Sequence, residues 1–395
     1  MIDRIPVDEL YHTVVVVKDA RAMARNYAAF FGITRWKVVH NTRKRLSNYT
    51  AFGRGTSRPE QFRLEDDWRG AGEYEFITAE GENPTRGLRF QLVQPTAGLS
   101  SFEQFLATRG NGIHSLFLAV TNQQTFSELH QFLAGEGIRV GQSYTIDDAA
   151  DVYFFDTRKA LGGYQVKVVV PRVDDWQSAL KVDEEWDFSN EVERPAQTEA
   201  MTRVPGLSHF GVVVHDLVST LETTGRLFGQ PYWRGMHWSS DLGTLIDCTN
   251  NGMSVNHAYF TAMGDLGKNA TGMPWGLEVI QPTFGPSHYK EDFLLPLGEG
   301  IHHIDLRIPF DSFEDFVTTD FWWRKIGAPV CMSGWLNKKN VPYPQFQYQD
   351  TRKLLGFVSE THAMHQTAID GGSAEISFPK GPPTYMYDFS SRVEI

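Results

Sequence analysis

The residues best equipped for chemistry lie in one stretch, Gly298-Glu299-Gly300-Ile301-His302-His303-Ile304-Asp305-Leu306-Arg307, where two adjacent imidazoles enter an alternating apolar run behind a glycine-framed turn. Alternation of this kind reads as a β-strand, on which neighbouring side chains face opposite ways. His303 would therefore share a face with Asp305 and Arg307, while His302 turns away. Imidazole and carboxylate together suit either proton transfer or the binding of a divalent cation. A lone pair of this type is as readily one core histidine beside one surface histidine. What sets it apart is its place in a repeat.

The elements that must position these groups recur along the chain. Leu10-Tyr11-His12-Thr13-Val14-Val15-Val16-Val17-Lys18-Asp19 reads as a strand ending on a helix N-cap, and Ala22, Met23, Tyr27, Phe30 and Phe31 keep helical spacing until Gly32. Strand candidates follow at Trp36 to His40, Tyr49 to Gly53, Tyr74 to Ala79 and Gly87 to Pro95. The same order returns in Leu207-Ser208-His209-Phe210-Gly211-Val212-Val213-Val214-His215-Asp216, with Gly229 matching Gly32 and Trp275 to Pro282 matching the strand that ends in Gln94-Pro95. Gly110-Asn111-Gly112-Ile113-His114-Ser115 parallels Gly298 to His303, and Asp156 to Gly162 parallels Asp350 to Gly356. Second strand–helix–strands units begin near Ile113 and Ile301, their helices marked by Phe126, Leu129, Phe132 and Leu133 and by Phe313, Phe316, Phe321 and Trp322. Four modules in two pairs result, divided by an acidic stretch expected to be a linker over 171–205, with a possible helix around Trp176 to Leu180.

Paired modules of this kind build a curved sheet around a cup, and two positions in each module recur: the opening of the first strand and a residue of the last. In the C-terminal pair these are His209 and Glu278, then His303 and Glu360. Two imidazoles with carboxylates accept Fe, Mn, Zn, Ni or Co as the divalent ion and leave positions for substrate or water. The N-terminal pair offers His12, Gln91, Ser115 and Lys167, with His114 in place of Ser115 if the register slips by one. An ammonium has no lone pair for a metal at neutral pH, so this half is expected to be a degenerate copy without one.

These residues resemble the vicinal oxygen chelate superfamily, whose members include glyoxalase I, methylmalonyl-CoA epimerase, fosfomycin-resistance proteins and extradiol ring-cleaving dioxygenases. The resemblance covers nearly the whole chain as four βαβββ modules. It implies an α+β fold of two tandem domains, 1–170 and 206–395, each a curved mixed sheet around a cup. It also implies one divalent metal ion held by His209, Glu278, His303 and Glu360. A fourth ligand resembles the glyoxalase and epimerase arrangement, which implies metal-stabilised enolate or enediolate chemistry of the isomerase, epimerase or lyase kind. The substrate would be small, oxygenated and aromatic. Four modules with the site in the C-terminal pair resemble instead the Fe(II) extradiol dioxygenases, the first alternative. A bleomycin-resistance-like ligand-binding protein is the second.

Within that frame Glu278 and Glu360 could serve as bases, Asp305 could move a proton, and His257 is the best stand-in for a catalytic histidine. Arg307, Tyr348 and Trp275 are candidates for substrate contact. Tyr343, beside Pro342 and Pro344, could gate the cup. Trp233, Trp238, Trp322, Trp323 and Trp335 add to an aromatic C-terminal half that suits a bulky apolar substrate.

Bulk properties narrow the partners. A chain of 395 residues, 41% hydrophobic and 13% aromatic, has ample material for packed cores. A formal net charge of −11 argues against nucleic acid or an anionic membrane as the partner and leaves a small molecule. Cys248 and Cys331 are too few for a disulfide framework, and no apolar run approaches the ~20 residues of a membrane span. Met1 to Glu9 lack a signal-peptide core, so cytoplasmic residence is the expectation. Because four modules can complete their cups within one chain, a monomer or a homodimer is expected.

Overall fold

The computed structural model describes residues 2–7, 9–51, 73–191, 206–268, 274–306, 312–336, 344–362 and 384–390. The chain opens with β1 (His12–Val16) and α1 (Ala20–Phe31). Asp19 caps α1 by accepting from the Ala22 amide at 2.9 Å, and Gly32 stops it at φ 69°, a left-handed conformation that glycine adopts without strain. Strands β2 (Arg35–Asn41), β3 (Leu46–Ala51), β4 (Glu75–Asn83) and β5 (Leu88–Ala97) follow. After α2 (Ser101–Arg109), the second module comprises β6 (Gly112–Val120), α3 (Gln123–Gly135), β7 (Val140–Ile146), β8 (Ala150–Phe155), α4 (Arg158–Leu161) and β9 (Gln165–Pro171).

The stretch expected to be a linker is partly structured. It holds the short α5 (Trp176–Ala179) and β10 (Glu184–Asp187), which adds to the edge of the first sheet against β2 and buries Trp186. Residues 192–205 lie outside the described residues.

The second half repeats the plan with β11 (His209–Val213), α6 (Leu217–Phe228), β12 (Tyr232–Ser239), β13 (Leu245–Asn250), β14 (Met253–Ser254), β15 (Ala258–Lys268) and β16 (Pro274–Phe284). Its second module has β17 (Gly300–Asp305), α7 (Phe313–Lys325), β18 (Val330–Leu336), β19 (Phe346–Gln349), α8 (Arg352–Leu355) and β20 (Val358–His362), and β21 (Thr384–Asp388) pairs with β12. Of the aromatic markers of α7, Trp322 is buried whereas Phe313 and Phe321 face outward.

Strand order exposes the duplication. The first sheet runs β10-β2-β4-β5-β1-β6-β9-β8-β7-β3 and the second β14-β13-β18-β19-β20-β17-β11-β16-β15-β12-β21. In each, the opening strands of the two modules meet at the centre, β1 on β6 and β11 on β17, and each lies parallel to the last strand of its own module. The fold is α+β, two curled mixed sheets of paired βαβββ modules, as expected.

Helices cover the outer faces of both sheets, and the two halves share one apolar core. Phe30 packs on Trp322 and Trp323 with ring centroids 5.4 Å away in each case, and Tyr27 donates its hydroxyl to the Leu355 carbonyl at 2.6 Å. Separate clusters fill the concave sides. Because Phe30 bridges the halves, Phe30→Ala should cost about 3–5 kcal/mol. Chemical denaturation followed by tryptophan fluorescence and by far-UV circular dichroism should show one coincident transition, displaced as a unit; two separated transitions in the wild-type chain would contradict a shared core.

Candidate metal centre

Strand β11 is the hinge of the site's geometry, since it pairs with β16 on one side and β17 on the other. The register sets Gly211 beside both Glu278 and His303, and Asp305 beside Glu360. His209, Glu278, His303 and Glu360 consequently converge on the concave side, with one potential ligand atom from each lying within 4.8 Å of all the others. Glu360 Oε2 is 3.1 Å from His209 Nε2 and 3.0 Å from His303 Nε2; Glu278 Oε2 is 3.3 and 3.4 Å from the same two nitrogens. Gly211 makes this approach possible. A Cβ there would stand 1.8 Å from the His303 ring, so the imidazole lies directly over strand backbone that only glycine leaves bare.

The far atoms of all four side chains are held. Thr261 donates its hydroxyl to Glu278 Oε1 at 2.8 Å. Tyr348 donates to Glu360 Oε1 at 2.5 Å and itself accepts from the Tyr289 hydroxyl at 2.5 Å. His209 Nδ1 lies 3.4 Å from Asp305 Oδ2, and His303 Nδ1 lies 3.0 Å from His302 Nδ1, whose other nitrogen is 2.8 Å from His288 Nδ1. Outer partners of this kind fix the rotamer and tautomer of groups that bind a metal.

The neighbouring histidines do not simply alternate. A β-bulge between Gly211 and Val212 leaves His302 unpaired in the ladder, so both imidazoles are buried and their Nδ1 atoms meet. The N-terminal half has the same irregularity between Val14 and Val15, which places Ser115 opposite Val14 and leaves His114 in the bulge, packed against Phe102, Phe105 and Phe154.

Electrostatics suit a cation at the convergence point. Burial works against charge on His209, yet Asp305, Glu278 and Glu360 outweigh it and raise the pKa to about 10. Burial likewise opposes charge on His303, and Glu360 and Glu278 reverse the balance. Burial would raise the Glu278 carboxyl, but His209 and His303 hold it below the usual range. Glu278 Oε2 has no hydrogen-bond partner among the described residues although it is buried. The protonated imidazoles 3.3 and 3.4 Å away offset its charge, a role that a bound cation would take over. The donor set, two imidazole nitrogens and two carboxylate oxygens, fits a divalent ion of the Fe, Mn, Co, Ni or Zn type.

A cavity of about 20 Å³ adjoins the cluster, lined by His209, Glu278 and Glu360 and by Met236, Trp238, Tyr259, Met263, Leu336, Phe346 and Tyr348. Among the other residues expected at the site, Tyr348 lines the cavity and Asp305 is buried behind His209, where it orients the ring. His257 sits one step out on the face of Tyr259, stacked at 5.8 Å, and burial pushes its pKa down to about 4; it is absent from the cavity lining. Trp275 is on the opposite face of β16, in the shared core against Phe210. Trp233, Trp322 and Trp323 belong to that core too, so of the described C-terminal tryptophans only Trp238 faces the cavity. Arg307 and Tyr343 lie outside the described residues. Sequence reasoning missed Thr261, Tyr289, His288 and Gly211; of these only Gly211, a glycine inside a strand, left a signal.

In the first half the matching register brings Gln91 beside Val14 and Lys167 beside Phe117. Lys167 Nζ donates to Gln91 Oε1 at 2.9 Å and lies 4.6 Å from the centre of the Phe117 ring, and Gln91 Nε2 donates to Glu80 Oε1 at 2.5 Å. Burial pushes the Lys167 pKa down to about 8 against the opposing pull of Glu80.

Fold and site together define two curled sheets of paired βαβββ modules, the second with a buried His/Glu cluster that could hold a metal ion. No family model matches the chain, and no curated protein matches it. Among solved structures it is similar to a mutant 4-hydroxymandelate synthase from Streptomyces coelicolor at 12% identity over 90% of this chain and 92% of that one, with a TM-score of 0.49. It is also similar to BphC, a halotolerant catechol dioxygenase, at 12% identity over 91% and 87% of the two chains (TM-score 0.38). A variant methylmalonyl-CoA epimerase from Streptomyces coelicolor matches 40% of this chain and 95% of its own at 18% identity (TM-score 0.25). Among the described residues no helix is long and apolar enough to cross a membrane.

Two outcomes follow from these charges. Because His209 holds its proton through the neutral range when no cation is present and the pKa of His303 is raised as well, loading a divalent ion at pH 7 should release protons, and affinity should fall as pH is lowered. Calorimetric titration in two buffers of different ionisation enthalpy measures this, and equal heats in both would contradict it. For Lys167 the folded pKa, about 8, lies below the ordinary 10.5, so between those values the native state binds fewer protons than the unfolded one and stability rises with pH. Wild-type protein should therefore gain up to about 3 kcal/mol on Lys167→Met between pH 7 and pH 10 in urea unfolding; a constant difference would refute the assignment.

Proposed function

We propose that the C-terminal cup is the active site of a divalent-metal-dependent enzyme that acts on a small oxygenated substrate, expected to be aromatic, by redox-neutral enolate or enediolate chemistry of the isomerase, epimerase or lyase kind. The observation that carries this reading is the fourth group. Glu278 Oε2 approaches the same point as His209, His303 and Glu360, at comparable distances and with no hydrogen bond of its own. Four donors from the protein would leave room for a pair of substrate oxygens on a bound ion, whereas a bidentate catecholate together with O₂ would need more room than four donors leave.

A divalent ion held by these residues would supply Lewis-acid stabilisation of charge developing on the substrate's oxygens. The chain's own groups do the rest. Glu278, whose Oε1 is fixed by Thr261, keeps Oε2 turned to the shared point as the fourth donor. Tyr348 and Tyr289 hold Glu360 through a hydroxyl relay and keep its other oxygen turned inward. Met236, Met263, Trp238, Tyr259, Leu336 and Phe346 exclude water and present apolar contact to a planar substrate. A cavity of about 20 Å³ admits an ion and little more, so the substrate's body enters by displacing the flexible Met236 and Met263 side chains.

We assign the metal site to a domain over 206–395 and read the domain over 1–170 as its degenerate copy, in which Lys167 stands where Glu360 does in the other, with 171–205 between them.

Elemental analysis of protein purified without added metal, paired with oxygen uptake on a panel of catechols, tests the reading. Manganese, cobalt, nickel or zinc near one per chain with no oxygen consumed is expected, and Glu278→Gln should lower turnover by about 10²-fold or more. Stoichiometric iron with oxygen uptake, and a mild Glu278→Gln, would replace it with ring-cleaving dioxygenation. Ligand binding with no metal retained would replace it with a sequestering protein.

A further inference from the structure

A second cavity, of about 310 Å³, lies between the halves on the far side of His302. Its apolar walls come from both, Phe105 and Ile113 from one, Phe293, Leu297, Ile301 and Phe357 from the other. Arg109, the last residue of α2, is the charged group that enters it. Its Nη1 donates to the Leu297 and Glu299 carbonyls at 2.7 and 2.8 Å, and its guanidinium is clamped between the Phe105 and Phe293 rings at 5.6 and 5.5 Å. Gly300 permits this seat, since a Cβ there would fall 2.4 Å from Arg109 Nη2.

What Arg109 lacks is a counter-ion. Among the described residues its hydrogen bonds are those two, both to backbone carbonyls, and it forms no ion pair; the Glu299 carboxylate favours its charge from farther off and is occupied by the His215 amide at 2.8 Å. Asp350, the acidic residue in the lining, is already bound by Arg352 at 2.8 Å, and Lys353 adds a further positive charge at the rim. A half-buried guanidinium held rigidly between aromatic rings, with one edge open to an apolar chamber, is preorganised for an anion. The volume is at the lower end of the range for small-molecule sites, about 300–1,000 Å³.

We propose that this cavity is a binding site for a small monocarboxylate with an apolar body, separate from the metal cup. With Arg352 neutralised by Asp350, the guanidinium edge of Arg109 suits one carboxylate rather than a polyanion, and the aromatic and aliphatic walls take the rest of the ligand. Both halves contribute walls, so the ligand would also tie them together.

The test is calorimetric titration of the full chain with octanoate and with benzoate, each against its alcohol, octanol or benzyl alcohol. The carboxylates should bind at least tenfold more tightly than the alcohols. Leu297→Trp, which fills the chamber without altering Arg109, and Arg109→Gln should each weaken carboxylate binding by tenfold or more, whereas Glu278→Gln, which changes a ligand of the other site and touches no residue of this lining, should leave it unchanged. If Arg109→Gln does not fold, Leu297→Trp decides alone. Binding that survives Leu297→Trp and disappears in Glu278→Gln would place the carboxylate in the metal cup and overturn the proposal. Equal affinity for acid and alcohol, or no binding of either, would overturn it as well.

Discussion

Two carboxylates and two imidazoles buried around one point cannot be neutral bystanders, because charge removed from water must be met by opposite charge or by hydrogen bonds. The surroundings of the C-terminal cup follow from that demand. Thr261 and Tyr348 each satisfy one oxygen of a carboxylate and leave the other turned inward. Asp305 and His302 do the same for the two imidazoles, each taking the nitrogen that faces away from the centre. The result is a shell in which each outward atom has a polar neighbour and every inward one faces the same small volume. A cluster built only for stability would gain more from apolar side chains of similar size. The cost is sustained where a positively charged guest can offset it.

The N-terminal half shows how the same backbone meets the demand without a guest. Identical pairing places Val14, Gln91, Ser115 and Lys167 where the other half has Gly211, Glu278, His303 and Glu360. The ammonium of Lys167 carries the positive charge covalently, the neutral Gln91 amide relays it to Glu80, and the Phe117 ring supports it from below. Val14 closes the gap that Gly211 keeps open. Buried valine, phenylalanine and tyrosine side chains, among them Val14, Phe76, Phe102, Phe117, Tyr144 and Phe154, occupy the concave side. Charge compensation by a tethered amine and by a cluster that could take up an ion are thus two solutions of one geometric problem.

Much of the fold was legible in the sequence because its punctuation is local. Asp19 and Asp216 cap helices through their own side chains, Gly32 and Gly229 stop them at positive φ, and the equal spacing of such marks reveals the duplication. The four converging residues were legible for the same reason: once the modules are aligned, equivalent strand positions must face the same cup. What resisted was non-local. The bulge that turns His302 and His303 toward each other depends on the pairing of β11 with β17, which strand alternation along one segment does not contain. Thr261 matters only because β15 lies beside β16 in one register, and a threonine in a strand carries no mark of it. Trp275 fell to the wrong face because aromatic crowding was read by composition, whereas the parity of its distance from Glu278 along β16 sends it to the core. His257 lies on the right face but one step too far from the centre.

The glycine-framed turn before β17 does two jobs that cannot be separated. Gly300, at the start of the strand, has no Cβ and so lets the Arg109 guanidinium of the other half lie against it, hydrogen-bonded to the carbonyls of Leu297 and Glu299. Two residues on, the bulge at His302 sets the ring of His303 over the bare backbone of Gly211. The path between Arg109 and the cluster is therefore a few residues of extended chain inside a packed sheet, with His302 lining the chamber on one side and touching His303 on the other. Extended backbone held in a ladder shifts as a unit rather than residue by residue. Docking of the halves and the placement of His303 are consequently fixed by the same segment, Gly300 through the room it leaves for Arg109 and His302 through the bulge that turns His303 inward.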